Sequence, residues 1–132
     1  MEKEFIPYEQ ALALKELGFD EYCLGLYSYA SRNTIDMQHV IHTCKASSKL
    51  IWMRVPTPTF SQAFRWFREK YNEHTILIPY CDSSGKVLSY RFEIVVQDYN
   101  LDDFESECKD YTYEEAELEC LKKLIEIIKE KK

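Results

Sequence analysis

His39, His42 and Cys44 form the closest grouping of metal-ligand side chains in the 132-residue chain. On a strand His42 and Cys44 would share a face; on a helix His39 and His42 would pair and Cys44 would drift off. Tetrahedral zinc needs four deprotonated ligands, and no second pair with recognisable spacing follows, so ordinary polar residues are the preferred reading. The acid run Asp98, Asp102, Asp103, Glu105 and Glu107 offers hard oxygen ligands. It lacks EF-hand spacing and a central glycine, and reads as a solvated loop. Cys23, Cys44, Cys81, Cys108 and Cys120 stand without a local base or a CxxC pair and read as small apolar fillers. There is no P-loop, dinucleotide fingerprint, GxSxG elbow or HExxH motif. The sequence therefore points to no catalytic residue, no metal and no cofactor.

Two constellations could bind. Thr57, Thr59 and Ser61 stand where a helix begins, with Arg54 just upstream. Free amide protons, hydroxyls and a guanidinium there could take an anion, although any capped helix start looks the same. Along the helix that follows, Arg65, Trp66, Arg68 and Lys70, with Gln62, form a candidate protein interface, since Trp and Arg are enriched among interface anchors. The competing reading buries Trp66 under a loop.

Three helices must position these groups. The first spans Pro7 to Leu17, with Gln10, Ala13, Leu14 and Leu17 on one stripe and Gly18 as a left-handed stop. The second begins near a capping box, Thr59 with Gln62, and turns Phe60, Ala63, Phe64, Phe67 and Tyr71 inward, leaving Trp66 at the flank. The third begins at a second box, Thr112 with Glu115, and buries Leu118, Leu121, Leu124, Ile125 and Ile128. Strand patterns fall at 22–29, 35–42, 50–55, 76–81 and 87–97, the last two joined by the turn DSSGK. Pro79 puts its strand at an edge or a bulge. Residues 98–111 read as a loop. The expected fold is one α+β domain over 1–132, a small antiparallel sheet of about four strands with three helices packed mainly on one face.

Composition narrows the setting. A hydrophobic fraction of 45% suits a packed core, and no run approaches a membrane span. An odd number of cysteines and an acidic N-terminus without an apolar signal core suit a cytoplasm. Net charge is −6, which opposes attraction to nucleic acid or anionic lipid. Its distribution is −4 over 1–44, +5 over 45–91, −10 over 92–119 and +3 over 121–132. A basic middle between acidic flanks suits internal complementarity, with an anionic partner as the competing reading.

PYEQALALKELGF, PTPTFSQAFRWFREKYN and TYEEAELECLKKLIEII, in this order, resemble a set of small proteins encoded by phages and prophages of Bacteroides-type gut bacteria. Those relatives often carry Ala-Pro-Thr where this chain has Thr57-Pro58-Thr59. The resemblance implies a phage setting in a bacterial host cytoplasm and supplies no catalytic residues. Together the readings favour a non-enzymatic accessory protein that binds a host or phage protein. The alternative is a protein that sequesters an anionic, nucleotide-like ligand at the start of the central helix. The sequence leaves a homodimer open.

Overall fold

The first helix stops where a residue without a side chain lets the backbone turn left-handed. The computed structural model of the protein describes residues 4–23, 25–28, 31–37, 44–45, 54–95, 104–105 and 110–131. In it, α1 (Tyr8–Glu16) is closed by Gly18 at φ 96. The Gly18 amide donates to the Lys15 carbonyl and the Phe19 amide to the Leu14 carbonyl, which is the paired pattern of a Schellman stop. Leu14 and Phe19, the two side chains such a stop brings together, are buried. Ala11 is buried as well, whereas Gln10 and Ala13 are only half-buried, so the buried stripe is turned slightly from the expected one.

The strands β1 (Tyr22–Cys23), β2 (Gly25–Ser28), β3 (Ser31–Met37), β4 (Cys44–Lys45) and β5 (Arg54–Thr57) follow, then α2 (Phe60–Tyr71), β6 (His74–Cys81), β7 (Val87–Val95), β8 (Phe104–Glu105) and α3 (Tyr113–Lys131). The chain is thus α+β, with three helices and antiparallel pairing among the described residues. The described strands form three ladders, β1–β4, β3–β2–β5 and β6–β7–β8, in place of one sheet of about four strands. Part of the difference lies at 22–29, expected as a single strand. Cys23 pairs with Cys44, whereas Gly25 stands between Met37 and Thr57, buried between two neighbouring strands.

The chain divides into two compact units, Met1–Ala63 and Phe64–Lys132, and the boundary falls inside α2. In the first unit α1 packs against β5, and the Ile6 amide donates to the Pro58 carbonyl. Its core holds Phe5, Ile6, Leu14, Phe19, Val55 and Phe60. In the second unit α3 packs on β7 and β6. Phe92 and Ile94 of β7 are buried, and Tyr90 on the same face meets Tyr113, the first residue of α3, edge to face at 5.3 Å. Ala116, Cys120, Leu121, Leu124, Ile125 and Ile128 are the buried stripe of α3. Leu118, expected there, is half-buried, because Ala116 and Cys120 occupy the inward row.

The DSSGK turn is organised by Asp82. Its carboxylate accepts from the Ser84 hydroxyl at 2.6 Å and from the amides of Ser84 and Lys86 at 2.9 and 3.0 Å. Gly85 takes φ 86, where a side chain would be strained. The Ser84 hydroxyl first, then the Lys86 amide, hold the Asp82 carboxyl below its ordinary value of 3.8. A lowered folded-state pKa contributes stability that is present above the unfolded value and is lost as pH falls through the folded one. The Asp82 carboxyl should therefore titrate below 3.8 when followed by carbon NMR, and Ser84→Ala should move its midpoint upward; an unmoved midpoint contradicts this arrangement.

At the junction of α2 and β6, Asn72 adopts φ 57 and Glu73 turns inward with 1% of its surface exposed. One carboxylate oxygen of Glu73 meets the Lys131 ammonium at the end of α3, and the other has no hydrogen-bond partner among the described residues. A buried carboxylate stripped of its counter-charge is costly. Lys131 is partly exposed, which screens the pair, so Lys131→Met should cost about 1–3 kcal/mol in urea unfolding. Adding Glu73→Gln to Lys131→Met should recover part of that loss, and a strictly additive double-variant cycle would contradict the pairing.

Candidate functional site

The basic face of α2 begins from a well-made helix start. The Gln62 amide donates to the Thr59 hydroxyl at 3.2 Å and the Ala63 amide to the Thr59 carbonyl at 3.0 Å, which makes Thr59 the cap. The Gln62 side chain does not complete the expected box. Its amide group instead donates to the Tyr22 carbonyl at 2.7 Å, with the Glu21 carboxylate at 3.5 Å. The third helix is capped in the same way, the Glu115 amide donating to the Thr112 hydroxyl at 3.2 Å.

These bonds bear directly on the anion candidate. Thr57 is fully buried, and its hydroxyl donates to the Val55 carbonyl at 3.1 Å. The Thr59 oxygen is occupied by the cap. Ser61 is exposed, and Arg54 is placed in β5 with its side chain outside the described residues. Thr57 is thus committed within the protein, while the Thr59 oxygen accepts the cap bond from Gln62.

Downstream, the stripe is turned from the expected one. Phe60, Ala63, Trp66 and Phe67 are buried, and Phe64 and Tyr71 are half-buried. Trp66 lies on the packed side of α2, with 6% of its surface exposed, and not on the outer surface as an interface anchor would. Its ring meets Phe67 at 5.0 Å and Tyr71 at 5.4 Å, both edge to face. Arg65, Arg68 and Lys70 are exposed. The Lys70 ammonium sits 5.0 Å from the Trp66 ring centroid and 5.5 Å from that of Tyr71, so one cation of the face is held over aromatic rings one helical turn from Trp66. What α2 presents outward is Arg65, Arg68 and Lys70 with Glu69 among them, a surplus of positive charge in which Lys70 is pre-positioned.

His39 and His42 lie outside the described residues, and of Cys44 only its backbone place in β4 is described. The acid run falls outside them too, save for the backbone of Glu105 in β8. Among the described residues no group of three or more His, Cys, Asp or Glu side chains could hold a metal ion, and no helix is long and apolar enough to cross a membrane. Cys23 and Cys120 are buried, as fillers should be, but Cys81 is exposed at the hairpin end of β6. The filler reading fails there because from Pro79 onward β6 outruns its cover, and Pro79, Tyr80 and Cys81 are all exposed. Burial, then the negative charge of Glu117, push the Cys120 thiol up to about 12, so it stays protonated near neutrality.

Iodoacetamide treatment of the folded protein followed by peptide mapping should modify Cys81 at least tenfold faster than Cys23 or Cys120, equal rates being the contrary result. Comparison with family models, with curated proteins and with solved structures returned no match.

Proposed function

We propose that the protein acts by non-catalytic binding to another protein through the outward face of α2, as an accessory protein of a phage or prophage in a bacterial host cytoplasm. The setting follows from the order of the three helical motifs. The binding mode rests on one observation: Arg65, Arg68 and Lys70 stand exposed along α2 while Lys70 is held over Trp66 and Tyr71. Trp66 serves this reading from beneath. It fixes the cation and the helix surface and does not itself touch the partner, so ordering that part of the face carries less entropic cost on binding.

A partner suited to this face is acidic. Arginine presents planar donors that match carboxylates two at a time, and exposed charges steer encounter more than they hold the complex. The chain's own −6 net charge makes the basic face a local exception, which disfavours indiscriminate attachment to nucleic acid.

The test is affinity capture from the bacterial host with the full chain beside an Arg65→Glu/Arg68→Glu variant of unchanged circular dichroism. A captured protein should bind the variant about tenfold or more weakly, and its binding to the parent should weaken as salt rises. Equal recovery of every captured protein by both chains contradicts the assignment.

A further inference from the structure

We infer that the free edge of β6 is a self-pairing surface on which a second copy of this chain adds an antiparallel strand centred on Ile76. The inference rests on β6 alone and is independent of the α2 reading.

The register shows which backbone groups face outward. Pro79 lies opposite Tyr90, and the Tyr90 amide donates away from β6, to the Tyr111 carbonyl at 2.9 Å. Pro79 and Tyr90 are therefore a non-hydrogen-bonded pair of the β6–β7 ladder, and the ladder stays in step from His74 to Tyr80. By alternation Thr75 and Leu77 also turn their N–H and C=O groups away from β7, whereas Ile76 and Ile78 spend theirs on Glu93 and Arg91. Among the described residues β7 is the one strand beside β6, so these outward groups form an open edge.

The edge is bounded in a way that fits its own copy. Pro79 has no amide proton to offer. At the other end the Glu73 amide is already donated to the Phe67 carbonyl, and its side chain is buried. A twofold axis through Ile76 sets Thr75 opposite Leu77 of the second copy, and Leu77 opposite its Thr75. Two hydrogen-bonded pairs result, four bonds in all by the alternation of an antiparallel ladder. The same axis lays Pro79 against Glu73 at each end of the ladder, so it stops where neither copy has a free donor. A foreign strand gains no such match of its ends.

Side chains agree with the backbone. His74, Ile76, Ile78 and Tyr80 share the face of the hairpin away from α3. Ile76 is 47% exposed and Tyr80 62%, and no charged side chain lies between His74 and Tyr80 to repel a copy. On the neighbouring strand the charges are already paired, Arg91 with Glu93 at 3.7 Å. Self-pairing sets Ile76 against Ile76 and places Ile78 beside His74 of the other copy, extending one apolar row across a continuous sheet.

Sedimentation of the full chain across micromolar to submillimolar concentration should show a reversible dimer. Ile76→Lys, a change at an exposed position, should weaken it about tenfold or more by setting like charges opposite each other. In a Cys81→Ser background, Ile76→Cys should form an intermolecular disulfide under mild oxidation, because only the residue on the axis faces itself at bonding distance. Thr75→Cys and Ile78→Cys should not. A chain that stays monomeric throughout, or a dimer unaffected by Ile76→Lys, or crosslinking equal at the three positions, overturns the proposal.

Discussion

Glu73 is the side chain on which the second unit turns. A carboxylate with almost no exposed surface stands at the residue between the end of α2 and the start of β6, and its counter-charge comes from the last turn of α3. The pair joins segments separated by 58 positions in the chain. Lys131 also lies where a cation favours the helix dipole, so the same side chain closes α3 and neutralises Glu73. Burial of a charge adds little net stability over an apolar pair, but it penalises arrangements that leave the carboxylate alone. The strand β6 starts at the next residue, His74, and stays in register with β7 from His74 to Tyr80.

From that register the surface follows. The packed side of the hairpin carries Phe92 and Ile94 beneath α3, and the opposite side carries Ile76, Ile78 and Tyr80. Pro79 limits how far the outer edge can pair, which is how natural sheets restrain open edges. A short open stretch with a proline at one end and a spent amide at the other favours a bounded, specific ladder over unlimited growth. The α2 face works by a different physics, with exposed cations and aromatic rings packed below them, and therefore responds to salt where the β6 edge does not.

Local chemistry was well written in the sequence. Gly18 stops α1, Thr59 and Thr112 open α2 and α3, and DSSGK makes the hairpin, each because its signal depends only on neighbours a few residues away. Pro79 marked the edge for the same reason. Less visible was whatever depends on distant contacts. A 3.6-residue period leaves the flank of a stripe undetermined by one position, so Trp66 and Phe64 exchange places in burial. Glu73 sits in YNEHT with no pattern to mark it, since a buried carboxylate becomes intelligible only once Lys131 is beside it. The division of the β structure into three ladders was equally hidden, because pairing partners are chosen across the fold.

Backbone amide exchange, resolved residue by residue, reaches the claim that β6 is a half-used strand. The amides of Ile76 and Ile78 should be protected at every protein concentration, while those of Thr75 and Leu77 exchange freely in dilute solution and slow as the protein is concentrated. Protection of Thr75 and Leu77 that ignores concentration, or exposure of Ile76 and Ile78, would contradict the account.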